Sequence, residues 1–304
     1  MTAARNSAMS RPFRVDHKLG SIFGFMLLAT FLTVVFIFAL VLVVLLLPGF
    51  EGALESNGVL PETTDRLLAE SRDAVALAGI LAGLALAIVA AATLIYRRPL
   101  RDFLWPERPF GVRDLAIGFL TTGTLGVALI PLHLAMGSDW SPPILNPLYA
   151  DWTRPVYFLA MAAAFLLAAA AEEVVCRGVL LRLTALVTQH PILLCLINGL
   201  VFSALHLDPD PVAFVARALS GMVWTWAALR LGGLEFAIGA HTAHNLVISL
   251  IWSPLSEAEL PRNSVWSDLG PEVLTAIIVV AIVERLANGR PDQGGARRVT
   301  GTNL

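Results

Sequence analysis

Long runs of apolar residues separated by short polar connections dominate this chain. A helix needs roughly 20 such residues to cross the hydrocarbon of a bilayer. Runs of that order lie at 21–47, 74–96, 114–136, 155–187, 190–206, 212–230, 234–252 and 270–285. The pattern predicts an all-α fold, a polytopic membrane protein built as a bundle of about eight transmembrane helices. No internal repeat is evident.

The connections refine this picture, because arginine and lysine gather in cytoplasmic loops. The N-terminal tail carries Arg5, Arg11, Arg14 and Lys18. The next connection, 48–73, is acidic, with Glu51, Glu55, Glu62, Asp65, Glu70 and Asp73 against Arg66 and Arg72. The following one holds Arg97, Arg98, Arg101, Arg108 and Arg113. Arg182 and Arg230 flank later turns on the basic side, and Arg285, Arg290, Arg297 and Arg298 follow the last run. The stretches 137–154, 206–211 and 253–269 are poor in arginine. Basic and acidic connections alternate, as expected for eight spans with both termini in the cytoplasm. The domain reading is a cytoplasmic tail at 1–20, a transmembrane helical domain at 21–285 and a disordered cytoplasmic tail at 286–304. The basic start followed by 22–47 is too long for a signal-peptide core and has no small-residue cleavage site, so a retained first span is expected.

Composition agrees. Of the 304 residues, 57% are hydrophobic and 14% charged, against about 45–50% and 25% in soluble domains. Mean hydropathy is +0.73. The net charge of −2 averages over two sides of a membrane. No basic run interleaved with aromatics supports nucleic-acid binding. Cys176 and Cys195 form neither a CxxC nor a zinc-ribbon spacing and read as small buried hydrophobes.

Ionisable residues inside spans are costly, and each is a candidate for function. Glu173 and Arg177 are four apart, so they share a helix face and can pair. Glu172 is about 100° away around the helix and is left without that partner. A desolvated carboxyl of this kind suits general acid–base work near neutral pH. The bland reading is that EExxxR caps a helix in the headgroups.

His206 ends the stretch FSALH. If spans four and five form a hairpin turning at Gln189, Glu172 lies 17 residues before the turn and His206 17 after it. At about 1.5 Å per residue the two then sit at similar depth, where they could polarise one water. His241 and Asn245 in HTAHN are four apart, and both can donate hydrogen bonds to an oxyanion. The alternative for this pair is helix–helix glue. His244 lies on the edge of that face. Taken together, a carboxylate, two histidines and an asparagine from three spans suggest a site rather than coincidence.

The order EEVVCR (172–177), FSALH (202–206), HTAHN (241–245) resembles the EExxxR, FxxxH and HxxxN pattern of the CPBP family of intramembrane proteases. This is the CAAX-processing and bacteriocin-processing group that includes the prenyl-protein endopeptidases. The resemblance covers about 155–252. It implies a glutamate-dependent intramembrane endopeptidase, a hydrolase in which Glu172 and His206 activate water. His241 and Asn245 would receive the oxyanion, Glu173 and Arg177 would order the site, and His244 would stand behind it. It also implies a membrane or lipidated peptide or protein as substrate and a multi-pass protein of the bacterial inner membrane. Oligomeric state is not legible. No cofactor is required by the sequence. There is no HExxH zincin motif, although Glu172, His206 and His241 could in principle ligate zinc.

Other readings carry less. Ala218-Leu219-Ser220-Gly221 lacks the first glycine of a rhomboid GxSG, and Ser220 reads as a small packing residue. Arg217 could pair with Glu235. A proton-coupled transporter would also bury Glu, His and Arg, but the repeated halves common in transporters are not seen. A non-catalytic scaffold or immunity-type protein of the same fold would need its motifs only for structure.

Overall fold

The computed structural model describes residues 7–13, 18–46, 66–106, 108–137, 142–252 and 265–290. Of the tails expected at 1–20 and 286–304, residues 1–6, 14–17 and 291–304 lie outside the described residues, as do 48–65 and 253–264 of the acidic connections.

All regular structure among the described residues is helical. The helices are α1 (Lys18–Leu46), α2 (Arg66–Tyr96), α3 (Arg101–Leu104), α4 (Val112–Ala128), α5 (Ile130–Ala135), α6 (Thr153–Glu173), α7 (Leu181–Thr184), α8 (Pro191–Ala204), α9 (Pro211–Leu231), α10 (Glu235–Val247) and α11 (Leu269–Asn288). Five runs are long and apolar enough to cross a membrane: Leu19–Val43, Arg66–Tyr96, Val112–Ala135, Thr153–Thr184 and Pro211–Leu231. Pro191–Ala204 is a shorter apolar helix. The protein is an all-α polytopic membrane protein. The other two expected spans are helices as well, but α10 carries Glu235, His241, His244 and Asn245, and α11 carries Glu272, Glu284 and Arg285. These polar side chains dilute the apolar run.

One boundary moves. Glu70 and Asp73 belong to α2, not to the preceding connection. The segment RLLAES places Leu67, Ala69 and Ser71 inward, and its strong helix formers continue the helix past the apolar stretch.

Helix α6 packs against α2 and α10, α10 against α4, α8 against α9, and α9 against α11. Helix α1 leans on α2 and exposes Phe23, Leu27, Phe31 and Phe38. Without water to drive association, close helix contact in lipid depends on small residues. A Cβ on Gly118 would stand 2.1 Å from the Phe236 carbonyl, and one on Gly239 the same distance from that of Leu115. The α4–α10 crossing is therefore backbone to backbone. The α8–α9 crossing is similar, since a Cβ on Gly221 would meet the Gly199 Cα at 2.9 Å.

The fourth run is not a uniform α-helix. After Glu173 it widens into a seven-residue π segment, Val174–Leu180, before α7. A turn at 185–190 then leads into α8, so the expected hairpin of spans four and five is present.

Candidate active site

Helix α6 reaches the site through an alanine-rich run, Ala168–Ala171, with Ala168, Ala169 and Ala171 buried. Such residues favour helix and let neighbours approach closely. At its end the two carboxylates diverge. Glu173 is fully buried, whereas the Glu172 side chain is 25% exposed.

Glu173 sits in a dense polar knot. Its Oε1 accepts from Arg177 Nη1 at 3.0 Å and lies 3.0 Å from Nδ1 of His241. Arg177 is fully buried and spends its other donors on α9: Nη2 on the Gly221 carbonyl at 2.9 Å and Nε on Thr225 Oγ1 at 3.4 Å. Its guanidinium lies 4.6 Å from the centre of the Phe202 ring and 5.6 Å from that of Trp224. Burying a charge is costly unless it is paired and hydrogen-bonded, and Arg177 meets that condition on every side. The π turn carries Arg177, and π segments recur at functional sites.

His241 stacks on Trp224, with ring centres 4.2 Å apart and planes 22° from parallel. Since Glu173 is a carboxylate, Nδ1 of His241 carries the hydrogen and donates to it. That leaves Nε2 aimed at Glu172, whose Oε2 is 3.8 Å away. This is too long for a direct hydrogen bond. It is a separation that one water can span by bonding to both.

Glu172 and His206 line one cavity of about 370 Å³. The rest of its wall is mainly apolar: Leu81, Leu84 and Ile88 of α2, Phe202, and Leu205. His206 stands just beyond α8, with Nδ1 2.9 Å from the Phe202 carbonyl. A carbonyl only accepts, so Nδ1 is the protonated nitrogen and Nε2 of the neutral ring is an acceptor. Leu207, at φ 53°, turns the chain away in the left-handed region, which is uncommon outside glycine. Asp208 accepts from the Asp210 N–H at 2.9 Å and pairs with Arg217 Nη2 at 2.9 Å. Asp210 caps α9 by accepting from Val212 and Ala213.

The remaining candidates lie elsewhere. Asn245 is one turn along α10 from His241 but faces an adjoining cavity of about 410 Å³, with Glu70, Asp73, Tyr157 and Ser249. Ala168, one turn from Glu172 on α6, lines that cavity too. His244 lines a third cavity, with His133 and Glu272, and its ring centre lies 6.1 Å from that of Trp224. Cys176 is buried in the core beside Phe202. Arg217 does not pair with Glu235. The two stand near opposite ends of α9, and Glu235 instead binds Arg108 at 2.7 Å. Among the described residues no three His, Cys, Asp or Glu side chains are grouped so as to hold a metal ion.

Sequence reasoning missed Trp224, Thr225 and Gly221, which together make the wall behind Arg177 and His241. Their only signal was their position on the span between the second and third motifs.

Comparison with known proteins finds a family match over this part of the chain. Residues 154–247 match the family model described as type II CAAX prenyl endopeptidase Rce1-like. That segment runs from the start of α6 to the end of α10 and holds all three motifs. The segment is thus similar to the CAAX-type intramembrane proteases, and the resemblance carried by EExxxR, FxxxH and HxxxN is borne out. An uncharacterized protein of Bacillus subtilis (strain 168), YyaK, is 27% identical over 168 residues. The alignment covers 53% of this chain and 54% of that protein, so the chain spans about half the length of this curated relative.

Proposed function

We propose that the protein is an intramembrane endopeptidase that cleaves a peptide bond with water activated by Glu172. The observation that supports this most directly is the pairing of opposites at α6. Glu173 is committed to Arg177 and His241, while its neighbour Glu172 faces a cavity shared with His206 and lies within one water of His241 Nε2.

In the proposed reaction Glu172 takes a proton from water, oriented by the acceptor Nε2 of His206, and the water oxygen bonds to the carbonyl carbon. The tetrahedral oxyanion receives a hydrogen bond from the Asn245 amide, and from His241 Nε2 when that ring is an imidazolium. This requires the carbonyl to lie on the α6 face between Glu172 and Ala168, where the two cavities adjoin. Glu172 then passes its proton to the leaving nitrogen as the C–N bond breaks, giving an acid and an amine. Glu173 and Arg177 position His241, and Trp224 places His244 behind it. The apolar wall of Leu81, Leu84, Ile88 and Leu205 suits a hydrophobic side chain or lipid chain next to the bond cleaved. The arginine-rich end of the bundle is read as cytoplasmic, with the protein in the inner membrane.

The test is cleavage, by the purified protein in bilayers, of a prenylated CAAX-tailed peptide and of an unprenylated transmembrane peptide. Glu172→Gln should lower the rate on the accepted substrate by at least about 100-fold, the scale of general acid–base catalysis. His206→Ala should lower it less, with both variants still inserted and folded. Wild-type rates in Glu172→Gln would end the proposal.

A further inference from the structure

The third cavity, of about 270 Å³, lies among α4, α5, the end of α10 and the start of α11. It sits further along α10 than Glu235, away from the arginine-rich end of the bundle. His133, His244 and Glu272 reach it from three separate helices. None of the three has a hydrogen-bond or ion-pair partner among the described residues. Glu272 acts on the His244 ring through space only. It stands in the first turn of α11, where the helix dipole attracts negative charge. Asp268 lines the cavity too, but its carboxyl is engaged, accepting from the Val265 N–H at 2.9 Å. Thr122 adds a separate sign. Ser71, Thr93, Thr184, Thr225 and Thr242 each donate to the carbonyl four residues back. Thr122, within α4, does not. It is 6% exposed and lines the cavity, and its buried hydroxyl has no partner among the described residues.

A buried polar group without a partner is costly, and here several converge on one space. The described lining residues include no lysine or arginine. A metal ion is not the match, because the side chains are not grouped so as to ligate one. An ammonium group is. Its N–H bonds reach acceptors about 2.7–3.2 Å away, further than the roughly 2.0–2.2 Å of a zinc–nitrogen or zinc–oxygen bond. It can donate to a carboxylate, to the acceptor nitrogen of a neutral imidazole and to a hydroxyl oxygen alike. The Trp252 ring, centred 5.1 Å from that of His133, adds a face that attracts cations. Leu129, Val247 and Ile248 supply apolar surface for an alkyl stem.

We propose that this cavity binds a primary alkylammonium group through Glu272, His244 and Thr122, with His133 and Trp252 beside them. The group comes either from a free amine or from an ethanolamine lipid headgroup. Binding would brace α4, α10 and α11 against one another.

The test uses the full chain in a nonionic maltoside detergent at about pH 8, where ordinary imidazoles are neutral and alkylamines remain charged. Butylammonium chloride and dioctanoyl phosphatidylethanolamine are titrated separately, with tetramethylammonium chloride as the control cation, and binding is read by native mass spectrometry and thermal unfolding. Saturable binding of butylammonium assigns the site to amines in general, and saturable binding of the lipid alone assigns it to a headgroup. In either case Glu272→Gln should weaken binding by about tenfold or more, as expected when a charged hydrogen bond is lost. Thr122→Val, which keeps the shape and removes the hydroxyl, should weaken it by about threefold or more, and it carries the test where Glu272→Gln does not fold. Absence of saturable binding by either probe overturns the proposal. So does equal binding of tetramethylammonium, which has no N–H to donate, or a folded variant that binds like the wild type.

Discussion

Two buried charge networks in this molecule use the same residue types to opposite ends. At the arginine-rich end, Arg108 Nη2 meets Glu235 at 2.7 Å and Asp114 at 2.9 Å, and Arg290 meets Asp114 at 2.6 Å. The Gly111 N–H closes the second oxygen of Glu235 at 2.8 Å, and both arginines also donate to the Leu231 carbonyl. Two cations answer two anions, and the network ties α4, α9, α10 and the end of α11 together. In the core, a single Arg177 faces two adjacent carboxylates, and it serves only one of them. The balanced network holds shape. The unbalanced one holds shape through Glu173 and leaves Glu172 with an unfilled need for a proton or a water. The difference lies in charge count and access, not in the types of residue.

The contrast can be pushed hardest at Arg177. Arg177→Met would strand Glu173 in an apolar core and cost about 3–5 kcal/mol, the typical effect of breaking a buried pair from one side. Equilibrium unfolding of the purified protein in mixed micelles would measure it. Adding Glu173→Leu should recover much of that loss, because removing both partners of a buried pair is often close to neutral. The double variant should still fail to cleave substrate, since His241 would lose its anchor. Recovery of activity along with stability would mean that Glu173 and Arg177 do not position His241.

A smaller effect is expected from the balanced network. Arg108→Met leaves Asp114 with Arg290 and Glu235 with the Gly111 N–H, so the loss should be about 2 kcal/mol, the scale of hydrogen bonds to charged groups. The same unfolding measurement applies, and turnover per folded molecule should not change. A fall in turnover without a fall in stability would show that this end of α10 controls the setting of His241.

Much of the architecture was legible because hydropathy reports burial in lipid directly. All eight apolar runs are helices, and the shared depth of Glu172 and His206 followed from counting residues on either side of one turn. The Glu173–Arg177 pair followed from helical spacing alone. What spacing could not supply was the rotation of α10. Gly118 and Gly239 bring α4 and α10 into backbone contact, and that contact fixes which face of α10 looks toward α6. With the face so fixed, His241 Nδ1 meets Glu173, while Asn245, one turn along the helix, lines a second cavity. Nor could sequence order show that Arg108 and Glu235, 127 residues apart, would meet. The π segment was equally hidden, because VVCRGVL carries no composition that separates an i,i+5 turn from an i,i+4 one.

The smallest effect belongs to the loop that carries His206. The Asp208 carboxyl is held below its ordinary value of 3.8, first by the Asp210 N–H and then by Arg217. A depressed carboxyl stabilises the fold above the unfolded-state pKa, and that contribution is lost as pH falls through the folded-state value. Asp208→Asn keeps an oxygen for the Asp210 N–H and so keeps the turn, removing only the charge opposite Arg217. The stability difference between wild type and Asp208→Asn should therefore be flat from about pH 7 to 5 and shrink below about pH 4. Unfolding curves across that range would show it. A difference that instead grows on acidification would mean the ionised pair does not stabilise the loop, and Leu207 and the Asp210 cap would be left to hold His206 at the cavity.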